Sequence, residues 1–446
     1  MEFNESDSCS GGIISFLDTD LYKLTMQCAI LKHFPDVQVT YAFKNRTPHK
    51  KLSRSAFNWL HFQIMKLGNL SLSHNEFRYL QSTVPILSES YLNFLRGLRL
   101  NPRDQVLCSF TPDDDNDFSD EALGTVDLKV KGLWVETILY EVPVLALTSE
   151  AYFRFVDTDW VHDGQEDRAY EKAMRLMEAG CNFTEFGTRR RRDYQTQVLV
   201  MRGLLRAQKD GEERELVGRL SGTSNPYHAM QFGIMPQGTI AHEWFMGVAA
   251  ISDDYEAATY HALKYWMDCF GKENLGYVLT DTFGTPAFLR SFRQPLPGFA
   301  DGETFAASFK GVRQDSGDPV QFVKLMKSFY VKEDIKEKKT IVFSDSLNVE
   351  SCLAYKELAI EAGFECIFGI GTFFTNDFVS QNTGLKSSPL NIVMKLNTAR
   401  EKPAIKLSDN AAKHMGDQTT IEKVKKLLGY TDLDWKLGDE SQRWGS

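Results

Sequence analysis

From about residue 180 the chain repeats one pattern: a short apolar run, a polar stretch often rich in glycine, then a longer segment with helical spacing. Such runs lie near 182–186, 217–221, 237–241, 275–280, 308–312, 340–344 and 364–370. Repeated βα order requires parallel strands, because each return to the same sheet edge needs a crossover. This many units favours closure into an irregular TIM-like α/β barrel over an open sheet. Helix starts are punctuated by Asn225-Pro226, Thr285-Pro286 and Asp318-Pro319, each a capping residue before a proline suited to the first helical position.

The first third reads differently. Residues 37–44 are strand-like, 53–67 and 74–97 carry helical spacing, and 104–111 and 124–131 alternate as strands around the acidic tract 113–121. That tract reads as a solvated hairpin loop. Segment 390–407 reads as a strand pair returning to this smaller part. The expected division is an N-terminal α+β sandwich domain over 1–145, joined by C-terminal strands near 390–446, and an α/β barrel over 146–389.

With 446 residues, 42% of them hydrophobic, the chain has ample material for two buried cores. A net charge of −9 argues against a nucleic-acid partner. A small anion is still compatible, since a local basic cleft can act against the global sign. The seven cysteines are odd in number and form no CxxC, which suits a reducing compartment and argues against a disulfide framework or structural zinc. Residues 1–12 lack the basic start and apolar run of a signal peptide. No apolar stretch approaches the ~20 residues that span a bilayer. The expectation is a soluble cytoplasmic protein without a membrane partner, with nuclear entry left open.

In a βα barrel, chemistry sits in the loops at the carboxyl ends of the strands. Those loops here are Phe186-Gly187-Thr188-Arg189-Arg190-Arg191-Arg192, Gly222-Thr223-Ser224-Asn225, Gly238 to Trp244, Thr280-Asp281-Thr282-Phe283-Gly284-Thr285, Val312 to Asp318, Ser344-Asp345-Ser346-Leu347-Asn348 and Gly369-Ile370-Gly371-Thr372. Singly, each is ordinary capping chemistry; together on one rim they are not. Four arginines opening a helix oppose its macrodipole unless a bound anion offsets them. Gly369–Thr372 follows a late strand, where barrels often hold a phosphate. Of nine histidines, eight suit surface or packing roles. His242 ends a strand and opens a helix on the rim, where a neutral imidazole can attack a phosphoryl group or act as a base. Asp281 or Asp315 is placed to fix its tautomer.

The ordered set TDLYKLTM (19–26), EFGTRRRR (185–192), GTSN (222–225), GTIAHEW (238–244), TDTFGT (280–285), GVRQDSGD (311–318), SDSLN (344–348) and GIGT (369–372) resembles nicotinate phosphoribosyltransferase, the fungal and bacterial form, from about residue 15 to the C-terminus. The resemblance implies the type II phosphoribosyltransferase fold and an enzyme of NAD salvage. It joins nicotinate to 5-phosphoribosyl pyrophosphate, with ATP as co-substrate and Mg²⁺ carried by the substrate. It implies that His242 becomes a phosphohistidine, that Asp281 and Asp315 serve the histidine and the base, and that Tyr22 and Phe186 sandwich the pyridine ring. It implies that Arg313 and Thr239 lie near the nicotinate carboxylate, Arg189 binds phosphate, Gly371 and Thr372 hold the 5′-phosphate, and Ser344 and Asp345 lie near the ribose or its phosphate. No protein metal ligand is implied. The family often forms homodimers in which the TDLY segment enters a neighbour's site, so Tyr22 in cis or in trans stays open. Nicotinamide phosphoribosyltransferase shares the fold and much of the motif set and is the alternative reading. Quinolinate phosphoribosyltransferase and a catalytically dead regulator fit less well.

Overall fold

Strand β1 (Gln38–Asn45) belongs to a mainly antiparallel sheet, with β2 (Leu52–Ser53), β3 (Val106–Pro112) and β4 (Leu123–Leu133). The protein is described by a computed structural model over residues 11–298 and 302–431. Residues 1–10, Cys9 among them, 299–301 and 432–446 lie outside the described residues. Side chains of β4 alternate between buried and exposed, as expected of strands with one face on a core. The acidic tract forms the loop between β3 and β4. The 74–97 stretch is two helices, His74–Thr83 and Glu89–Gly97, parted around Pro85, which has no N–H to continue a helix.

The second half supplies β5 (Phe183–Glu185), β6 (Leu220–Thr223), β7 (Tyr277–Leu279), β8 (Gly311–Gln314), β9 (Thr340–Ser344) and β10 (Glu365–Ile370). They form one parallel sheet in the order β6-β5-β10-β9-β8-β7. Every residue of β9 is buried, as a parallel strand covered on both faces must be. β11 (Phe378–Val379) and β12 (Lys386–Ser387) make a small separate ladder. β13 (Ile392–Ala399) then pairs antiparallel with β1, and β14 (Lys402–Pro403) pairs with β13.

The architecture is therefore mixed α/β with a parallel sheet and a second, mainly antiparallel sheet. One expectation needs correction. Residues 237–241 form no strand; a single bridge joins Thr223 to Pro236, and Gly238 then packs against the backbone of Tyr22 and the side chain of Leu21. Contact with the helix Leu21–His33 takes the place of pairing in the sheet. Among the described residues, no ladder links β6 to β7, so hydrogen bonding leaves the sheet path open. No described helix is long and apolar enough to cross a membrane.

Candidate active site

His242 is the first residue of the helix His242–Ser252 and is 5% exposed. Its Nε2 lies 2.8 Å from Asp315 Oδ2 and 3.7 Å from Asp281 Oδ1, and its Nδ1 lies 3.0 Å from Thr282 Oγ1. Burial, with Lys406 adding, pushes the imidazole down to about 4 against the pull of both carboxylates. The ring is thus neutral at physiological pH. Burial alone would raise Asp315, but the Arg313 guanidinium and the bond to His242 outweigh it and hold this carboxyl well below its usual range. Asp315 is therefore an ionised acceptor.

Asp315 follows β8 at the carboxyl end of the parallel sheet. Arg313, in β8, donates to Asp315 Oδ1 at 2.5 Å, to Ser344 Oγ at 2.7 Å and to Thr239 Oγ1 at 3.0 Å. Ser344 Oγ donates in turn to Asp315 Oδ1 at 2.8 Å. Asp281 sits behind the histidine: Ser316 Oγ donates to its Oδ2 at 2.6 Å, while its buried Oδ1 has no hydrogen-bond partner. His242, Asp281 and Asp315 bring one ligand atom each within 4.8 Å of one another.

One cavity gathers most of the residues singled out from sequence. Tyr22, Phe186, Arg189, His242, Arg313, Asp315, Ser344, Asp345, Gly371 and Thr372 line it. Thr239 and Asp281 do not; they sit behind Arg313 and His242. Phe186 lies against Gly369, where a Cβ would come within 2.5 Å of the ring. Arg189 lies with its Cζ 5.9 Å from the centre of the Tyr22 ring of the same chain.

The four arginines divide. Arg189 and Arg190 face the cavity. Arg191 is buried in a two-pronged pair with Asp18, both contacts at 2.8 Å, and Arg192 is buried against the rings of Phe153 and Phe378. The cluster also precedes its helix: Asp193 is the N-cap of Tyr194–Glu213, so the arginines do not face that dipole in the way the sequence suggested. Thr285 likewise is the first residue of its helix and not the cap. The Asp409 carboxylate accepts from its backbone N–H at 2.8 Å.

Sequence reasoning missed several lining residues: Arg46, Glu141, Lys395, Lys406 and Lys413. They lie outside the loops that follow parallel strands, so a search of strand ends passed over them. In all, seven basic side chains (Arg46, Arg189, Arg190, Arg313, Lys395, Lys406, Lys413) face four acidic ones (Glu141, Glu243, Asp315, Asp345). This local surplus on a chain of net −9 attracts anions. Beneath the cavity, fully buried Lys23 pairs with Glu141 at 2.5 Å and with Glu243. Burial would raise Glu141, but Lys23, Lys395 and Arg189 together bring it down to about 2.

Fold and cavity together define an α/β enzyme whose site lies at the carboxyl ends of a parallel sheet. Residues 181–432 match the nicotinate phosphoribosyltransferase (NAPRTase) family, and residues 17–149 match its N-terminal domain. The nicotinate phosphoribosyltransferase of Saccharomyces cerevisiae is 44% identical over 442 residues, covering 97% of this chain and 99% of the relative. That of Methanosarcina mazei is 35% identical over 441 residues, covering 95% and 100%. A crystal structure from Saccharomyces cerevisiae superimposes with a TM-score of 0.88 at 43% identity, covering 94% of this chain and 99% of that one. The nicotinate phosphoribosyltransferase structure from Porphyromonas gingivalis gives 0.80 at 31%, covering 94% and 100%. The chain belongs to the nicotinate phosphoribosyltransferase family and is a phosphoribosyltransferase.

Proposed function

We propose that the protein joins nicotinate to 5-phosphoribosyl pyrophosphate, giving nicotinate mononucleotide and pyrophosphate for NAD salvage, and that ATP drives the cycle by phosphorylating His242. The observation that carries this reading is a neutral imidazole, held by an ionised carboxylate, inside a cation-lined cavity that also holds the rings of Tyr22 and Phe186. Tyr22 and Phe186 stack on the pyridine ring, and Arg313, oriented by Thr239, Ser344 and Asp315, grips the nicotinate carboxylate. The pyridine nitrogen already bears a lone pair, so no base is needed to activate it. Gly371 and Thr372 receive the 5′-phosphate at a helix start, with Ser344 and Asp345 nearby. As the anomeric bond breaks, the sugar becomes cationic and the pyrophosphate gains charge. Arg189, Lys395, Lys406 and Lys413 stabilise that departing charge.

Magnesium fits this site as a passenger of the substrate. Three of the four carboxylate oxygens of Asp281 and Asp315 are already engaged by side-chain donors, which leaves Asp281 Oδ1 as one open ligand. An ion that keeps most of its waters and takes few protein carboxylates suits that donor set. When bound it would supply charge neutralisation on the pyrophosphate. We also read the βα order as an irregular barrel.

The match to relatives named nicotinate phosphoribosyltransferase favours the acid over nicotinamide. The test is a competition assay with 5-phosphoribosyl pyrophosphate: nicotinate is expected to be consumed in preference, and preferential use of nicotinamide would reverse the reading. His242→Ala is expected to abolish ATP hydrolysis while slow transfer persists. ATP hydrolysis by the variant in step with product would remove His242 from the mechanism.

A further inference from the structure

The loop after β7 offers a hydroxyl that no step above uses. Thr282 is buried, and its Oγ1 lies 3.0 Å from His242 Nδ1. Its backbone is pinned as well, since Leu407 N–H donates to Thr282 O at 2.8 Å. The protons around the ring can be counted. Asp315 is ionised and can only accept, so Nε2 must donate to it at 2.8 Å. Asp281 Oδ1, 3.7 Å away on the same side, is the nearest part of a second carboxylate. An imidazole that attacks phosphorus needs a free lone pair and so has one N–H, and Nε2 holds it. Nδ1 then presents its lone pair, and the Thr282 hydroxyl must be the donor to it.

We propose that Thr282 is a positioning residue for the phosphorylation of His242: its hydroxyl holds the imidazole with Nδ1 as the nucleophilic nitrogen, then turns aside and donates to the incoming phosphoryl group. This rests on the reading that ATP phosphorylates His242. In the step, the Nδ1 lone pair forms the bond to the γ-phosphorus. The bond from that phosphorus to the β–γ bridging oxygen breaks, and its electron pair leaves with ADP. The Nε2 proton stays in its bond to Asp315, whose charge offsets the cation that forms on the ring. Thr282 acts only through the ring. Before transfer its oxygen lies along the lone pair, where the phosphorus must arrive. A rotation about χ1 clears that place and leaves the hydroxyl beside a non-bridging oxygen.

The experiment uses the full chain and ATP labelled at the γ-phosphorus. Phosphoenzyme is trapped in alkali, quantified, and assigned to Nδ1 or Nε2 with isomer-selective antibodies, for wild type, Thr282→Val, Thr282→Ser and His242→Ala. Valine keeps the shape and loses the donor; serine keeps the donor. The expected result is label on Nδ1 in wild type, at least tenfold less in Thr282→Val or a shift of label to Nε2, and recovery to within about twofold in Thr282→Ser. Wild-type level and isomer in Thr282→Val would overturn the proposal, as would a loss in Thr282→Ser equal to that in Thr282→Val. Label absent from wild type as well as His242→Ala would instead overturn the phosphohistidine reading on which it rests.

Discussion

His242 combines two properties that seldom coincide: it is almost wholly buried, yet it touches a cavity built for anions. Burial is what keeps it neutral. With its folded pKa brought down from 6.5 to about 4, protonation penalises the folded state between those two values. Stability from this group is therefore complete above pH 6.5 and is lost as pH falls toward 4, by up to a few kcal/mol. His242→Ala should lose less stability than wild type over the same acid range. Thermal melts of both proteins at several pH values check this; parallel curves would show that the histidine carries no such penalty. At this scale the sequence was most informative, because His242, Asp315 and Arg313 stand in motifs whose residue types state their chemistry. It was least informative for Glu141 and Lys395. A single carboxylate and a lysine in a strand carry no local signal of a shared cavity, and only the packing of the helix Glu141–Phe155 beside β13 brings them there.

Among the elements, the turn from β5 into the helix Tyr194–Glu213 shows how adjacent residues of one type serve opposite ends. Arg191 closes on Asp18 with both fully buried, so Arg191→Ala strands a buried carboxylate and should cost about 3–5 kcal/mol. Arg189 is one-third exposed and lies 3.7 Å from both Asp20 and Glu141, and Glu141 keeps Lys23 and Lys395, so Arg189→Ala should cost less than Arg191→Ala. The same change should raise KM for 5-phosphoribosyl pyrophosphate. Denaturant titration paired with steady-state kinetics separates the two variants, and similar stability losses would refute the division. Apolar runs and turn residues made the strands legible, and six of the seven expected parallel strands form. The run at 237–241 had the same local pattern and did not, since Gly238 is claimed by the helix that carries Tyr22. Local pattern records the propensity to extend, not the partner that will be found.

Across the molecule, the cavity is a joint product of two sheets and a C-terminal segment. Lys406, Lys413 and Met415 reach it from residues 406–415, which are held down where Tyr430 Oη donates to Ser408 O at 2.6 Å and the Tyr430 ring covers Gly284. Tyr430→Ala should loosen these lysines and raise KM for 5-phosphoribosyl pyrophosphate about three- to tenfold. Unchanged far-ultraviolet circular dichroism would show that the fold is kept, and an unaltered KM would show that the anchor is dispensable. That the last part of the chain returns to the first was readable from its alternation; that it delivers lysines to the rim was not. The pairing of β1 with β13 also has a consequence for biosynthesis. Phe43 meets Met394 in that ladder, so the edge of β1 stays unsatisfied while some 350 intervening residues are still being translated. The ribosome must release nearly the whole polypeptide before the substrate chamber can acquire its final wall, so a nascent chain stopped short of β13 holds the histidine motif without a working enzyme.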